Sequence, residues 1–150
     1  MANILKRQST PWHLWLVGVL ALLWNGFGAF DFTMTFTRGA EYLRSVGMNE
    51  ATVQYLGTMP SWLYAPWALG VWAGVLGSLG LLARKRWSVW AYALSLLGAV
   101  GSNIVTLAIF PPPSEAVPQG VGAYMHYVII GIAVFLLLYA YWMKRRTVLI

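Results

Sequence analysis

Four long apolar runs separated by short polar or charged segments set the pattern of this chain: Trp12–Thr37, which carries one charge at Asp31, then Ser61–Ala83, Trp87–Phe110 and Val121–Met143. Crossing the hydrocarbon of a bilayer takes roughly 20 apolar residues at a rise of about 1.5 Å each, and every run is long enough. The pattern predicts an all-α integral membrane protein, a four-transmembrane-helix bundle that fills the 150 residues as one domain. A soluble domain of ordinary size, on the order of 100 residues, has no room beside the spans.

The basic residues orient the bundle. Lys6 and Arg7 precede the first span, Arg84, Lys85 and Arg86 join the second to the third, and Lys144, Arg145 and Arg146 follow the fourth, leaving only Arg38 and Arg44 on the other side. Positive residues collect on the cytoplasmic side, so both termini are expected inside. An amphipathic segment, Arg38–Pro60, and a Pro-rich loop, Pro111–Gly120, then lie outside. The net charge of +6 is dispersed over short flanks instead of gathered on one face, which excludes nucleic acid and leaves the lipid bilayer as the expected partner. The apolar run after Lys6 and Arg7 outlasts the roughly 7–15 residues of a signal-peptide core and reads as a retained first span.

With no Cys in the chain, disulfides, thiol nucleophiles and thiolate metal sites are excluded. The aromatic residues form two belts at the membrane surfaces: Trp12, Trp15, Trp87, Trp90, Tyr141 and Trp142 inside, and Trp62, Tyr64, Trp67, Tyr124 and Tyr127 outside. Trp24 and Trp72 fall at mid-membrane and are expected to pack between helices. In the outer segment, Glu41–Arg44 is expected to prolong the first helix, with Arg38, Glu41 and Arg44 able to pair at helical spacing. Asn49 is the N-cap of a short helix, Glu50–Leu56, that ends at Gly57 and could lie over the bundle as a lid. Pro66, near the outer end of the second span, implies a modest kink.

Lipid gives apolar helices no push toward one another, so small residues must let their backbones approach. Gly18, Ala21, Asn25 and Gly28 form such a stripe on the first span, Gly70, Gly74 and Gly77 on the second, and Ala91, Ser95, Gly98 and Ser102 on the third. The second and third spans, tied by a short basic link, are expected to be antiparallel neighbours through these faces. The fourth span lacks a stripe and is expected to face lipid or another subunit.

The remaining polar residues converge on one depth. Asn25 stands ~20 Å and Asp31 ~28 Å above Trp12, Asn103 ~24 Å above Trp87, and His126 ~7 Å below the outer start of the fourth span. All belong to the outer half of the membrane. They suggest a pocket of Asn25, Asp31, Asn103, Thr106 and His126, with Tyr64 and Trp67 at its rim, because an ionisable side chain inside a membrane marks a candidate functional site. Plainer readings compete: Asp31 reaching the headgroups or pairing with Arg38, and asparagines serving as interhelical glue. His13, beside Trp12, reads as interfacial and sits at the opposite membrane face from His126, so the two cannot share a metal. An Asp31–His126 acid–base pair is conceivable but has no evident nucleophile, and no cofactor motif is present. An enzyme is therefore the lesser reading.

The run Trp24-Asn25-Gly26-Phe27-Gly28-Ala29-Phe30-Asp31-Phe32-Thr33-Met34-Thr35, followed by Met59-Pro60-Ser61-Trp62 and Trp67-Ala68-Leu69-Gly70-Val71-Trp72, resembles a group of small bacterial four-span inner-membrane proteins often labelled sugar transporter. The resemblance implies a multi-pass protein of the bacterial inner membrane and a role in transport, without a catalytic residue to carry over. Two functions follow as expectations. One is binding or transport of a small molecule through the outer pocket, in a homo-oligomer, transport by one copy being disfavoured. The other is a structural or accessory subunit held to a larger membrane complex through the fourth span.

Overall fold

The computed structural model describes residues 9–150, and Lys6 and Arg7 lie outside the described residues. Each apolar run is a helix. α1 spans Trp12–Arg38, α2 Ala40–Ser45 and α3 Glu50–Thr58. α4, Ala65–Leu82, follows a 3-10 turn at Ser61–Tyr64. α5, Ser88–Ile104, runs on into a π-helical turn, Val105–Ile109. α6, Met125–Arg145, follows a 3-10 turn at Gly120–Tyr124. Among the described residues there is no strand, and four helices, α1, α4, α5 and α6 with their flanking turns, are long and apolar enough to cross a membrane.

The helices pack in chain order, α1 on α4, α4 on α5 and α5 on α6, whereas α1 and α6 are not among the closely packed pairs. The α4–α5 contact rests on glycine. A Cβ on Gly98 would strike the backbone of Gly70 and the carbonyl of Pro66, and Ser95 Oγ donates across the same seam to Gly70 O at 2.7 Å. Below it, Ser78 ties three helices. Its Oγ donates to Gly74 O at 2.8 Å and accepts from Asn25 Nδ2 of α1 at 3.4 Å and from Tyr92 OH of α5 at 3.1 Å. Buried bonds of this kind, made where lipid offers no alternative partner, fix the rotation of each helix as well as its spacing.

α1 and α6 do meet at the basic end, where Arg84, Lys85, Arg86 and Lys144 lie. His13 Nδ1 and the Tyr139 hydroxyl share a hydrogen bond of 2.5 Å, and the His13 ring stacks on Trp142 at 5.9 Å. Leu14, Leu81 and Met143 are fully buried beside them. After Thr147, which takes a left-handed φ of 57°, the chain turns under this end. Ile150 N donates to Arg84 O at 2.6 Å and Arg86 N to Ile150 O at 3.1 Å, leaving Leu149 fully buried. The basic half of the bundle is thus a filled core.

Several expectations need correction. Glu41–Arg44 does not prolong the first helix: Gly39, at φ 53°, ends α1, and α2 turns back so that Tyr42, Leu43 and Val53 bury against Met34 and Leu56. Arg44 pairs with Glu50 at 2.7 Å, not with Glu41. Its guanidinium holds the exposed Glu50 carboxyl below the usual range. Pro66 sits in the first turn of α4, where its missing amide costs nothing. Trp24 and Trp72 are not buried packing residues but remain 37% and 48% exposed.

Asn49 is the N-cap of α3: its side chain accepts from Thr52 N at 2.8 Å while its Nδ2 donates to Glu115 O at 3.1 Å. Asn49→Ala is expected to cost about 1 kcal/mol locally. Hydrogen exchange checks this, with the Thr52 amide exchanging about fivefold faster and amides of α4 and α5 unchanged.

Candidate functional site

Toward the far end, opposite the basic end, α1 and α6 diverge and leave a cavity of about 450 Å³ with walls from all four long helices. That volume is within the roughly 300–1,000 Å³ of small-molecule sites. Asn25, Asp31, Trp67, Asn103, Thr106 and His126 all line it. Tyr64 does not. Its hydroxyl donates to Leu56 O at 2.7 Å, and its ring stacks on Trp67 at 6.2 Å, so it anchors α3 to α4 beside the site. No residue of α2 or of α3, the expected lid, is in the lining, and α2 meets a lining residue through the Tyr42 bond to Asp31.

The lining is two-ended. Phe27, Ile129, Ile132 and Leu136 make the deeper walls apolar, and Asp31, Asn103, Thr106 and His126 supply polar groups at the far end. From Met125 to Leu136 along α6 is about 16 Å of depth at helical rise. The mouth is lateral. Trp24 and Phe27 on α1, and Met125 and Ile129 on α6, line the cavity while remaining 37%, 68%, 40% and 39% exposed, so they are the two edges of a gap between those helices.

Each polar group has a defined state. Asp31 Oδ1 accepts from Tyr42 OH at 2.7 Å, which corrects the Arg38 pairing. That bond, with burial of the ring, raises the Tyr42 phenol above its usual range, since ionising it would forfeit the donor beside a carboxylate. Among the described residues no donor meets Asp31 Oδ2. Asn103 Nδ2 donates to Ala99 O of its own helix at 2.9 Å, leaving Oδ1 without a donor. Thr106 Oγ1 donates to Ser102 O and Asn103 O at 3.3 and 3.1 Å, inside the π-helical turn. Such turns change the facing of the residues after them and recur at functional sites. His126 lies against Tyr127 at 4.1 Å and makes no hydrogen bond among the described residues.

Asn25 differs from these. It is buried, donates to Ala21 O at 2.9 Å and to Ser78 Oγ, and its Oδ1 presses on Gly74, where a Cβ would collide with it. It is interhelical glue that also forms part of the cavity wall. Asp31 and His126 share no hydrogen bond, so the conceivable acid–base pair is not formed. Among the described residues no three His, Asp or Glu side chains gather closely enough to hold a metal ion. The geometry suits binding. A cluster of acceptors at one end and an apolar interior orient a molecule without an evident nucleophile to attack it.

Ser95, Ser102 and Gly28 also line the cavity, although their sequence pattern marks them only as small packing residues. Phe27, Met125, Ile129 and Ile132 carry no signal at all, because an apolar side chain facing a cavity has the same periodicity as one facing lipid. No family model, curated protein or solved structure matches this chain.

Proposed function

We propose that the protein binds a small molecule in the far-end cavity, as a multi-pass protein of the bacterial inner membrane with its basic end in the cytoplasm. The observation that carries this reading is the cavity of about 450 Å³ to which all four long helices contribute and at whose far end Asp31, Asn103, Thr106 and His126 gather. The concentration of Lys and Arg at one end supports the orientation, and the motif resemblance supports the address. Binding is favoured over transport by one copy, because fully buried Leu14, Leu81, Met143 and Leu149 fill the basic half. The exposed face of α6, with Tyr127, Phe135 and Leu138, suits lipid as well as a partner and carries no second reading.

Native purification followed by mass spectrometry tests the proposal. The wild type is expected to retain a small molecule, and a double variant, Asp31→Asn with His126→Ala, to lose at least about tenfold in occupancy while its thermal transition and elution are kept. An unliganded protein that co-purifies with a larger membrane subunit would favour the accessory role instead.

A further inference from the structure

We infer that the ligand is a membrane-dissolved amphiphile with a hydroxyl or amine head, which enters sideways between α1 and α6 from the leaflet at the far end. This inference rests on the small-molecule-binding reading and specifies its ligand. Three features of the cavity carry it.

The first is the mouth. Its edges, Trp24 and Phe27 on one side and Met125 and Ile129 on the other, are apolar and exposed on the lipid-facing surface. A molecule crossing such a threshold keeps its apolar part in hydrocarbon-like surroundings throughout. A hydrophilic solute would lose its hydration there without replacement, since burying each unpartnered hydroxyl is costly. The second feature is polarity along the depth. The cavity is about 16 Å deep from Met125 to Leu136 and mostly apolar below its polar end, so an apolar body points inward and a polar head remains near the membrane surface. At about 450 Å³ the cavity suits a body of drug-like size.

The third feature is the chemistry of the polar end. Asp31 Oδ2 and Asn103 Oδ1 are acceptors awaiting donors among the described residues, and no Lys or Arg is in the lining. An anionic head would meet a carboxylate with no Lys or Arg to offset it. A hydroxyl or ammonium head donates to both acceptors, and the ammonium adds charge-assisted bonding to Asp31.

Photolabelling of the full chain in phosphatidylcholine nanodiscs tests this. Three diazirine probes share one long alkyl tail and differ in head: amine, alcohol and phosphate. Glucose is added in the aqueous phase as a competitor. The amine and alcohol are expected to label the segments Trp24–Asp31 and Met125–Leu136, at least about tenfold above the phosphate. Asp31→Asn keeps an acceptor for Tyr42, and is expected to weaken labelling by the amine about tenfold while changing the alcohol less than about threefold. Melting of that variant is measured in parallel, and Tyr42→Phe, which leaves the Asp31 carboxylate in place, is expected to retain amine labelling. Phosphate labelling equal to the amine, or displacement of the probes by glucose, overturns the inference while leaving the binding reading intact. Labelling spread over lipid-facing segments alone for every probe, with no effect of glucose, overturns both.

Discussion

Gly98→Ala destabilises the bundle by about 3 kcal/mol, lowering its thermal midpoint on the order of 10 °C in detergent or nanodiscs. The new methyl carbon would lie less than 3.0 Å from the backbone N and Cα of Gly70 and from the Pro66 carbonyl oxygen. None of these atoms ends a flexible side chain, so relief requires α4 and α5 to separate. Separation stretches the Ser95 bond to Gly70 O and the Tyr92 bond to Ser78. In a bilayer the lost contact is not offset by a hydrophobic drive, which makes close backbone approach the main attraction at this seam. Gly131→Ala is the matched comparison. Nothing lies within 4 Å of its Cβ position, and removing a glycine from the interior of α6 is expected to stabilise by about 0.5–1 kcal/mol. Equal, small effects at both positions would show that α4 and α5 do not touch as described.

The apolar runs identify the long helices because span length is a one-dimensional property, set by bilayer thickness and rise per residue. Asn49 as a cap is legible for the same reason: donor and acceptor are three residues apart. Gly39 shows where local reading falls short. Glu41–Arg44 are good helix formers, and the burial of Tyr42 and Leu43 against Val53 holds the chain where it turns back after Gly39. The small stripe on α5 was legible at Ser95 and Gly98 but drifts at its far end. Gly101 faces Pro66 on α4, where a Cβ would come within 3.2 Å, and Ser102 faces the cavity. The return of Val148 and Leu149 beneath the bundle has no periodic signal. The gap between α1 and α6 is likewise tertiary, since the His13–Tyr139 contact that joins them at the other end links residues far apart in sequence.

Filling the cavity produces the second large effect. Ser102→Phe places an aromatic ring into a space of about 450 Å³ and removes no side-chain hydrogen bond, since Thr106 uses the Ser102 carbonyl and not its hydroxyl. Occupancy by the retained small molecule is expected to fall at least about tenfold. Stability is expected to hold or to rise by about 0.5–2 kcal/mol, as cavity-filling substitutions often do. Native mass spectrometry and thermal melting on the same preparation read both quantities. Loss of binding together with loss of stability would mean that residue 102 is a packing position and the cavity has closed by other means. Unchanged occupancy would place the ligand elsewhere.

Solution NMR of the methyl-labelled chain with its co-purified molecule tests most directly whether that molecule resides between α1 and α6 at the far end. Intermolecular NOEs are expected from its apolar part to the methyl groups of Ile129, Ile132 and Leu136, and from its polar head to His126. Contacts confined to Leu97 and Leu107, which are exposed and outside the lining, would contradict that location.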